Sequence, residues 1–181
     1  MYEDIEEILF NEEEISRATD EIAFRINRDY VGKNPVIIGV LKGSFIFLAD
    51  LVRRLDIDFT VDFIKASSYG DKTRSTGNVD IKYHISADIG NRDVIVVEDI
   101  LDTGYTLSYI TEYLRGFSPH SIRICTLFDK PGRRVVPIKP DYTGFVTDDL
   151  FIVGYGLDYN EKYRGMPCVG VPKTQSKKIK E

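Results

Sequence analysis

The sequence is poor in cysteine and has no excess of basic residues. Its two cysteines are Cys125, inside an apolar stretch, and Cys168, near the C-terminus, and they lack the spacing of metal ligands. We therefore expect buried free thiols in a reducing compartment. The formal net charge of −5 at pH 7 argues against a surface made for nucleic acid, although it leaves room for a local basic patch.

A long apolar run and a targeting signal are also missing. Hydrophobic residues make up 43% and charged residues 29%, which is typical of a globular protein without a membrane span. The opening MYEDIEEILF has no basic region followed by an apolar one, so we expect no secretory signal and a cytoplasmic location. Because neither repeats nor a linker interrupt the 181 residues, we expect a single domain covering 1–181.

Apolar periodicity predicts alternating helices and strands. Apolar residues three or four positions apart predict helices at 11–30, at 44–55 and after residue 106. Apolar or β-branched runs predict strands at 35–40, 60–69, 94–97, 121–128, 142–146 and 151–156, and the alternating segment 81–86 predicts an antiparallel partner. A polar loop is expected at 70–80, and the tail KTQSKKIKE is expected to fray. This order favours an α/β fold in which helices cover both faces of one sheet and terminal segments form a small cap.

The most informative segment is VIVVEDILDTGYTL, from Val94 to Leu107. A strand buried on both faces is followed by the acids Glu98, Asp99 and Asp102 and by a glycine-containing turn that leads into a helix. Free backbone N–H groups and the positive end of the helix dipole at such a turn favour a phosphate. Adjacent acids beside a phosphate need another task, such as binding neighbouring sugar hydroxyls or holding Mg²⁺. The segment thus predicts a ligand with a phosphate, vicinal hydroxyls and a metal.

The segment also has three other interpretations. The triplet from Asp102 to Gly104 also occurs in aspartic proteases, but those enzymes set it in a β-rich fold, whereas a helix is predicted to follow here. A solvated turn that caps a helix would explain any short piece of the segment, although not the whole of it. A dinucleotide site is poorly supported because the spaced glycines of G-x-G-x-x-G are absent from this turn.

Taken together, these residues resemble the signature of type I phosphoribosyltransferases, and in particular of their 6-oxopurine branch. The resemblance implies the fold of that family, a central and mainly parallel sheet flanked by helices, with a small hood and a flexible loop. It also implies Mg²⁺-dependent transfer of the 5-phosphoribosyl group from phosphoribosyl pyrophosphate (PRPP) to N9 of hypoxanthine or guanine, and assembly as a homodimer or homotetramer. Family-like segments extend from about Val40 to about Arg164.

The resemblance also assigns roles to individual residues. Asp102 would be the catalytic residue, facing N7 of the base. Glu98 and Asp99 would bind the ribose, and the 5′-phosphate would lie against Asp102, Thr103, Gly104, Tyr105 and Thr106. Pyrophosphate would contact Lys42, Gly43 and Arg164, with a cis peptide bond between Leu41 and Lys42. Ser68 and Tyr69 would belong to the flexible loop, the purine would contact Lys130, Phe151, Ile152 and Asp158, and Mg²⁺ would be held by Glu98, Asp99 and Asp158.

Each of these segments also has a plainer interpretation, as a strand-to-helix turn, a solvated loop, a surface lysine or core packing. Tyr105 stands where some relatives carry a basic residue, so the phosphate turn must depend on backbone donors and hydroxyls. The sequence indicates no residue that sets the preference among guanine, hypoxanthine and xanthine. A regulator that binds PRPP and nucleic acid without catalysis is the alternative, and the acidic charge together with Asp102 and Lys130 argues against it.

Overall fold

The computed structural model describes residues 3–68 and 79–173. Its helices are α1 (Glu12–Asp29), α2 (Phe45–Val52) and α3 (Tyr105–Arg115), with one 3₁₀ turn at Pro131–Arg133. Its strands are β1 (Ile5–Phe10), β2 (Val36–Val40), β3 (Thr60–Ser68), β4 (Val79–Tyr83), β5 (Asp93–Leu101), β6 (Ser121–Asp129), β7 (Tyr142–Val146) and β8 (Val169–Pro172). No described helix is long and apolar enough to cross a membrane.

Six strands form the central sheet in the order β4-β3-β2-β5-β6-β7. Strands β2, β3, β5, β6 and β7 run parallel, and β4 pairs antiparallel with β3. The predicted parallel sheet with one antiparallel partner is therefore confirmed, although β4 ends at Tyr83 rather than at residue 86. Because β2 and β5 are neighbours in the middle of the sheet, the loops at their carboxyl ends lie side by side.

Helices cover both faces of this sheet, as the unbroken apolar runs predict. Ile37, Ile95 and Val97 belong to a core cluster with the apolar residues of α1 and α2. Ile38 and Val96, which point to the other face, pack in a second cluster with the apolar residues of α3. Alternate residues of the same strand thus fill two cores, which is why the runs show no polar alternation.

Helix α1 begins where the sequence predicts. The Asn11 side chain accepts a hydrogen bond from the Glu14 N–H (2.9 Å), and the Glu14 carboxylate accepts one from the Asn11 N–H (2.8 Å). This reciprocal capping satisfies two backbone donors that the first helical turn leaves unpaired. The helix ends at Asp29, one residue before the expected position.

The terminal segments form a separate two-stranded sheet, in which β1 pairs antiparallel with β8. Neither strand was predicted individually, although a cap of terminal segments was. The predicted strand at 151–156 is wrong, because only isolated pairings such as Val153 with Gly170 occur there. The φ angles of Gly154, Tyr155 and Gly156 are 106°, 50° and 100°, and this left-handed backbone cannot continue a strand.

Three expectations fall wholly or partly beyond the described ranges. Tyr69 lies outside them, as do residues 70–78 of the expected loop and residues 174–181 of the expected frayed tail.

Helix α2 ends at Val52, three residues before the predicted position. Cys125 and Cys168 are both free and buried, as predicted.

Candidate active site

A cavity of about 330 Å³ opens at the carboxyl ends of β2 and β5. It is lined by Val40, Leu41, Ala66 and most residues between Glu98 and Leu107. Its size is within the range of small-molecule sites. The acid pair and the glycine-containing turn therefore share one cavity, and of the residues from Asp102 to Thr106 only Tyr105 is absent from the lining.

Glu98 and Asp99 form a buried acid pair in this cavity, with 8% and 7% of their surface exposed. Burial raises the pKa of Glu98 well above its usual value, and the adjacent charge of Asp99 adds to this shift. Burial also raises the pKa of Asp99. Within residues 3–68 and 79–173 neither carboxyl has an ion-pair partner, so the pair is suited to bind hydroxyl donors or a cation from a ligand.

The turn after the acid pair is shaped by Gly104, which precedes α3 and has a φ of 90°. A Cβ atom there would lie 2.7 Å from Ile138 Cγ2 and 3.1 Å from Arg134 Cδ, so a larger residue would have to displace these side chains in addition to adopting a strained backbone. The N–H groups of Val135 and Val136 donate to Thr103 O at 2.9 and 3.1 Å and hold the turn in place. The first N–H groups of α3 have no helical acceptor, which makes this turn a natural anion site.

A second loop, between β2 and α2, lies directly against the acid pair. The peptide bond between Leu41 and Lys42 is cis, as the family resemblance implied. A Cβ atom on Gly43 would lie only 1.8 Å from Asp99 Oδ2, so this carboxylate rests on the glycine backbone. On its other side, a Cβ atom on Gly156 would lie 2.0 Å from Gly43 O. The loop is therefore held between β5 and the segment that follows Gly154.

Arg164 joins that segment to the site. Its Nη1 donates to Gly156 O at 2.7 Å, and its Nη2 lies 2.7 Å from Asp158 Oδ1. Its Nε is buried and has no hydrogen-bond partner among the described residues. The charge of Arg164 also opposes the effect of burial on the pKa of Asp99, which indicates that the two groups lie near each other. Arg164 thus ties the segment after Gly154 to the acid pair.

Lys130 lies beside the other end of the turn. Only 5% of its surface is exposed, its N–H donates to Leu101 O at 2.9 Å, and its Nζ donates to Leu150 O. Burial lowers the pKa of Lys130. Phe151 is 38% exposed, with its ring edge-on to Tyr159 at 5.7 Å, whereas Ile152 is buried. The buried Lys130 thus follows β6, and the exposed ring of Phe151 comes after the neighbouring strand β7.

Arg133 and Arg134, which sequence reasoning missed, support Asp102 from the turn after β6. Arg133 Nε lies 3.0 Å from Asp102 Oδ1 but without hydrogen-bond geometry. Arg134 is partly buried and donates to Asp102 O at 2.8 Å, to Leu101 O at 3.2 Å and to Asp129. The signal available in the sequence was a pair of arginines just past a strand whose carboxyl end meets the same edge.

The described structure does not bring together the predicted loop residues or the three predicted metal ligands. Ser68 ends β3, but its side chain and all of Tyr69 lie outside the described structure. Among the described residues no three acids are close enough to hold a metal by themselves, because Asp158 binds Arg164 and the Glu161 N–H instead. Mg²⁺ is commonly bound by one or two carboxylates together with substrate oxygens, and the acid pair fits that arrangement.

Comparison with known proteins agrees with this geometry. The family model of the phosphoribosyl transferase domain matches residues 6–160. A hypoxanthine-guanine phosphoribosyltransferase from Streptococcus mutans is 47% identical over 171 residues, covering 94% of this chain and 95% of that protein. The bifunctional protein TilS/HprT of Listeria monocytogenes is 42% identical over 175 residues, but the chain spans only 27% of its length.

A similar structure has also been solved. The crystal structure of a hypoxanthine phosphoribosyltransferase from Staphylococcus aureus superposes with a TM-score of 0.93 at 44% identity, covering 97% of this chain and 96% of that one.

Proposed function

The chain belongs to the phosphoribosyltransferase family, and we propose that it transfers the 5-phosphoribosyl group of PRPP to N9 of hypoxanthine or guanine, forming IMP or GMP and pyrophosphate. This reaction is a step of purine salvage. The observation that carries the proposal is the shared cavity, in which the buried pair Glu98 and Asp99 adjoins the anion-binding turn at Gly104.

In this proposal the cavity binds the ribose and the 5′-phosphate of PRPP. In the proposal, Glu98 and Asp99 accept hydrogen bonds from neighbouring ribose hydroxyls, which replace the water that burial removes. The turn from Asp102 to Thr106 binds the 5′-phosphate through backbone N–H groups and the hydroxyls of its threonines. Fixing both ends of the ribose leaves C1′ at a defined position, and such positioning supplies a large part of the rate.

The leaving pyrophosphate is assigned to Lys42, Gly43 and Arg164. Breaking the bond from C1′ to the pyrophosphate leaves positive charge on the ribose and negative charge on the leaving group, so cations and backbone donors there stabilise the transition state. Glu98 and Asp99 would hold Mg²⁺ together with substrate oxygens, Asp158 would contact it through water, and the ion would neutralise pyrophosphate charge. Closure of the loop that contains Ser68 and Tyr69 would exclude water from the reactive sugar.

The base is assigned to the other side of the cavity. Lys130 donates a hydrogen bond to the 6-oxo group, and this donor discriminates against adenine, whose amino group is also a donor. Phe151 stacks on the purine, the Ile152 backbone contacts its edge, and Asp158 belongs to the same subsite. Asp102 accepts a proton or a hydrogen bond from N7 while N9 attacks C1′.

We further propose that residues 1–181 form one domain, that the protein acts in the cytoplasm, and that it assembles as a homodimer or homotetramer. The family match over 6–160 and the core clusters that join α1, α2 and α3 to one sheet support the first point. Two free buried cysteines support a reducing compartment. The family resemblance supports the proposed oligomer.

The test is product formation from PRPP with each of hypoxanthine, guanine, xanthine and adenine, with and without Mg²⁺. We expect nucleotide and pyrophosphate from the 6-oxopurines in the presence of Mg²⁺, and little product from adenine. A parallel gel shift with RNA examines the regulatory alternative. RNA binding without release of pyrophosphate would refute the enzymatic proposal.

A further inference from the structure

Glu161 lies between the two cations assigned to pyrophosphate. Its Oε2 is 2.9 Å from Lys42 Nζ and 3.5 Å from Arg164 Nη2, so a single carboxylate oxygen contacts both. Lys42 follows β2 and Arg164 lies 122 positions later in the chain, which means that the fold brings them to the same anion. A carboxylate oxygen between an ammonium and a guanidinium group has the charge and geometry of a phosphate oxygen.

The turn that presents Glu161 is specifically shaped. Asn160 and Glu161 have φ angles of 52° and 62°, and the Glu161 N–H donates to Asp158 Oδ2 at 2.8 Å. Left-handed backbone at two successive non-glycine residues is uncommon. The hydrogen bond from Lys42 also lowers the pKa of Glu161, so its side chain is charged at neutral pH. At 65% exposure, the side chain is free to move away when another anion arrives.

Building on the function proposed above, we propose that Glu161 is an internal competitor of pyrophosphate. It pairs with Lys42 and Arg164 while the pyrophosphate subsite is empty, and the pyrophosphate group of the substrate displaces it. When pyrophosphate leaves, Glu161 takes back both cations and so favours product release. The residue would weaken the binding of pyrophosphate and of PRPP without touching the base subsite.

Calorimetric titration with inorganic pyrophosphate, with and without Mg²⁺, tests this inference. Exposed ion pairs change an equilibrium only a few-fold each, so we expect Glu161→Gln to bind pyrophosphate about three- to tenfold more tightly than the wild type. The same variant should show stronger product inhibition by pyrophosphate, with an unchanged KM for the purine. Gln has the same size and the same backbone N–H, so the contact with Asp158 is retained.

Two further variants separate competition from a general effect of charge. Glu112→Gln removes the same charge from an exposed pair with Arg115 on α3 and should leave pyrophosphate affinity unchanged. Glu161→Asp keeps the charge but shortens the reach, so its affinity should fall between those of the wild type and Glu161→Gln.

If Glu161→Gln and the wild type bound pyrophosphate with equal affinity, this inference would be overturned but the proposed function would not. Equal affinities of Glu161→Asp and the wild type, beside a tighter Glu161→Gln, would also overturn it, because simple repulsion would then suffice. A wild-type protein that does not bind pyrophosphate with Mg²⁺ would refute the proposed function as well.

Discussion

Gly43 offers the most demanding test of the site, because a single methyl group added there meets the acid pair. In Gly43→Ala the new Cβ atom would lie 1.8 Å from Asp99 Oδ2, 2.5 Å from Asp99 Cγ and 2.9 Å from Asp99 Oδ1. Ordinary contact begins near 3.4 Å, so the carboxylate or the loop must retreat by roughly 1.6 Å. Asp99 is only 7% exposed and lines the cavity, so its carboxylate would be pushed out of its present position in the site.

We expect kcat/KM for PRPP to fall by about 10²-fold in Gly43→Ala, since a displacement of about 1 Å in a positioning group has an effect of that order. Overpacking of this kind also costs about 1–3 kcal/mol of unfolding free energy. Steady-state kinetics with varied PRPP, together with urea denaturation, measure the two effects separately.

Gly132→Ala is the matched control, because a Cβ atom there has no neighbour within 4 Å. It should keep both the activity and the stability of the wild type. If Gly43→Ala retained wild-type kcat/KM while folding normally, Asp99 would not be fixed by this loop, and the assignment of Gly43 to the pyrophosphate subsite would be refuted.

Three other predictions concern Asp102, Lys130 and Asp62. Asp102→Asn should lower turnover by about 10²-fold or more with little change in PRPP affinity, and unchanged turnover in a rapid-quench assay would remove its catalytic role. Lys130→Ala should raise the KM for hypoxanthine more than the KM for PRPP. Equal increases in the two KM values would count against base recognition by Lys130. Burial opposes ionisation of Asp62, but hydrogen bonds from three backbone N–H groups outweigh it and lower its pKa below 3.8. Asp62→Asn should therefore lower the free energy of unfolding by about 1–3 kcal/mol at pH 7. Because the folded pKa is the lower one, this difference should persist down to pH 3.8 and shrink as the pH falls through the folded pKa; a constant difference in urea denaturation would contradict it.

The central sheet could be predicted from the sequence because its strands carry their own signal. The β-branched runs that became β2 and β5 are buried on both faces, and each is followed by residues that turn toward a helix. The terminal strands carried no such signal. The IEEILF segment of β1 mixes acidic and apolar residues, and it is a strand only because β8, more than 150 residues later, pairs with it.

Local patterns also misled at 151–156. Apolar residues predicted a strand, but Gly154 and Gly156 approach the backbone at Cys168 and Gly43 too closely for any side chain. Such close approaches depend on distant parts of the chain, and single-sequence reasoning does not contain them. The same holds for Glu161, because no local pattern indicates its contact with Lys42, which lies 119 positions earlier in the chain.

The central claim is that Glu98 and Asp99 bind the ribose of PRPP, and calorimetric titration of the Glu98→Gln/Asp99→Asn double variant with PRPP and Mg²⁺ tests it most directly. Burial penalises both charges, so the neutral isosteres should leave the melting temperature at pH 7 unchanged or higher. The account predicts that PRPP affinity falls by about tenfold or more in a protein that is no less stable. Wild-type affinity in this variant would contradict the claim.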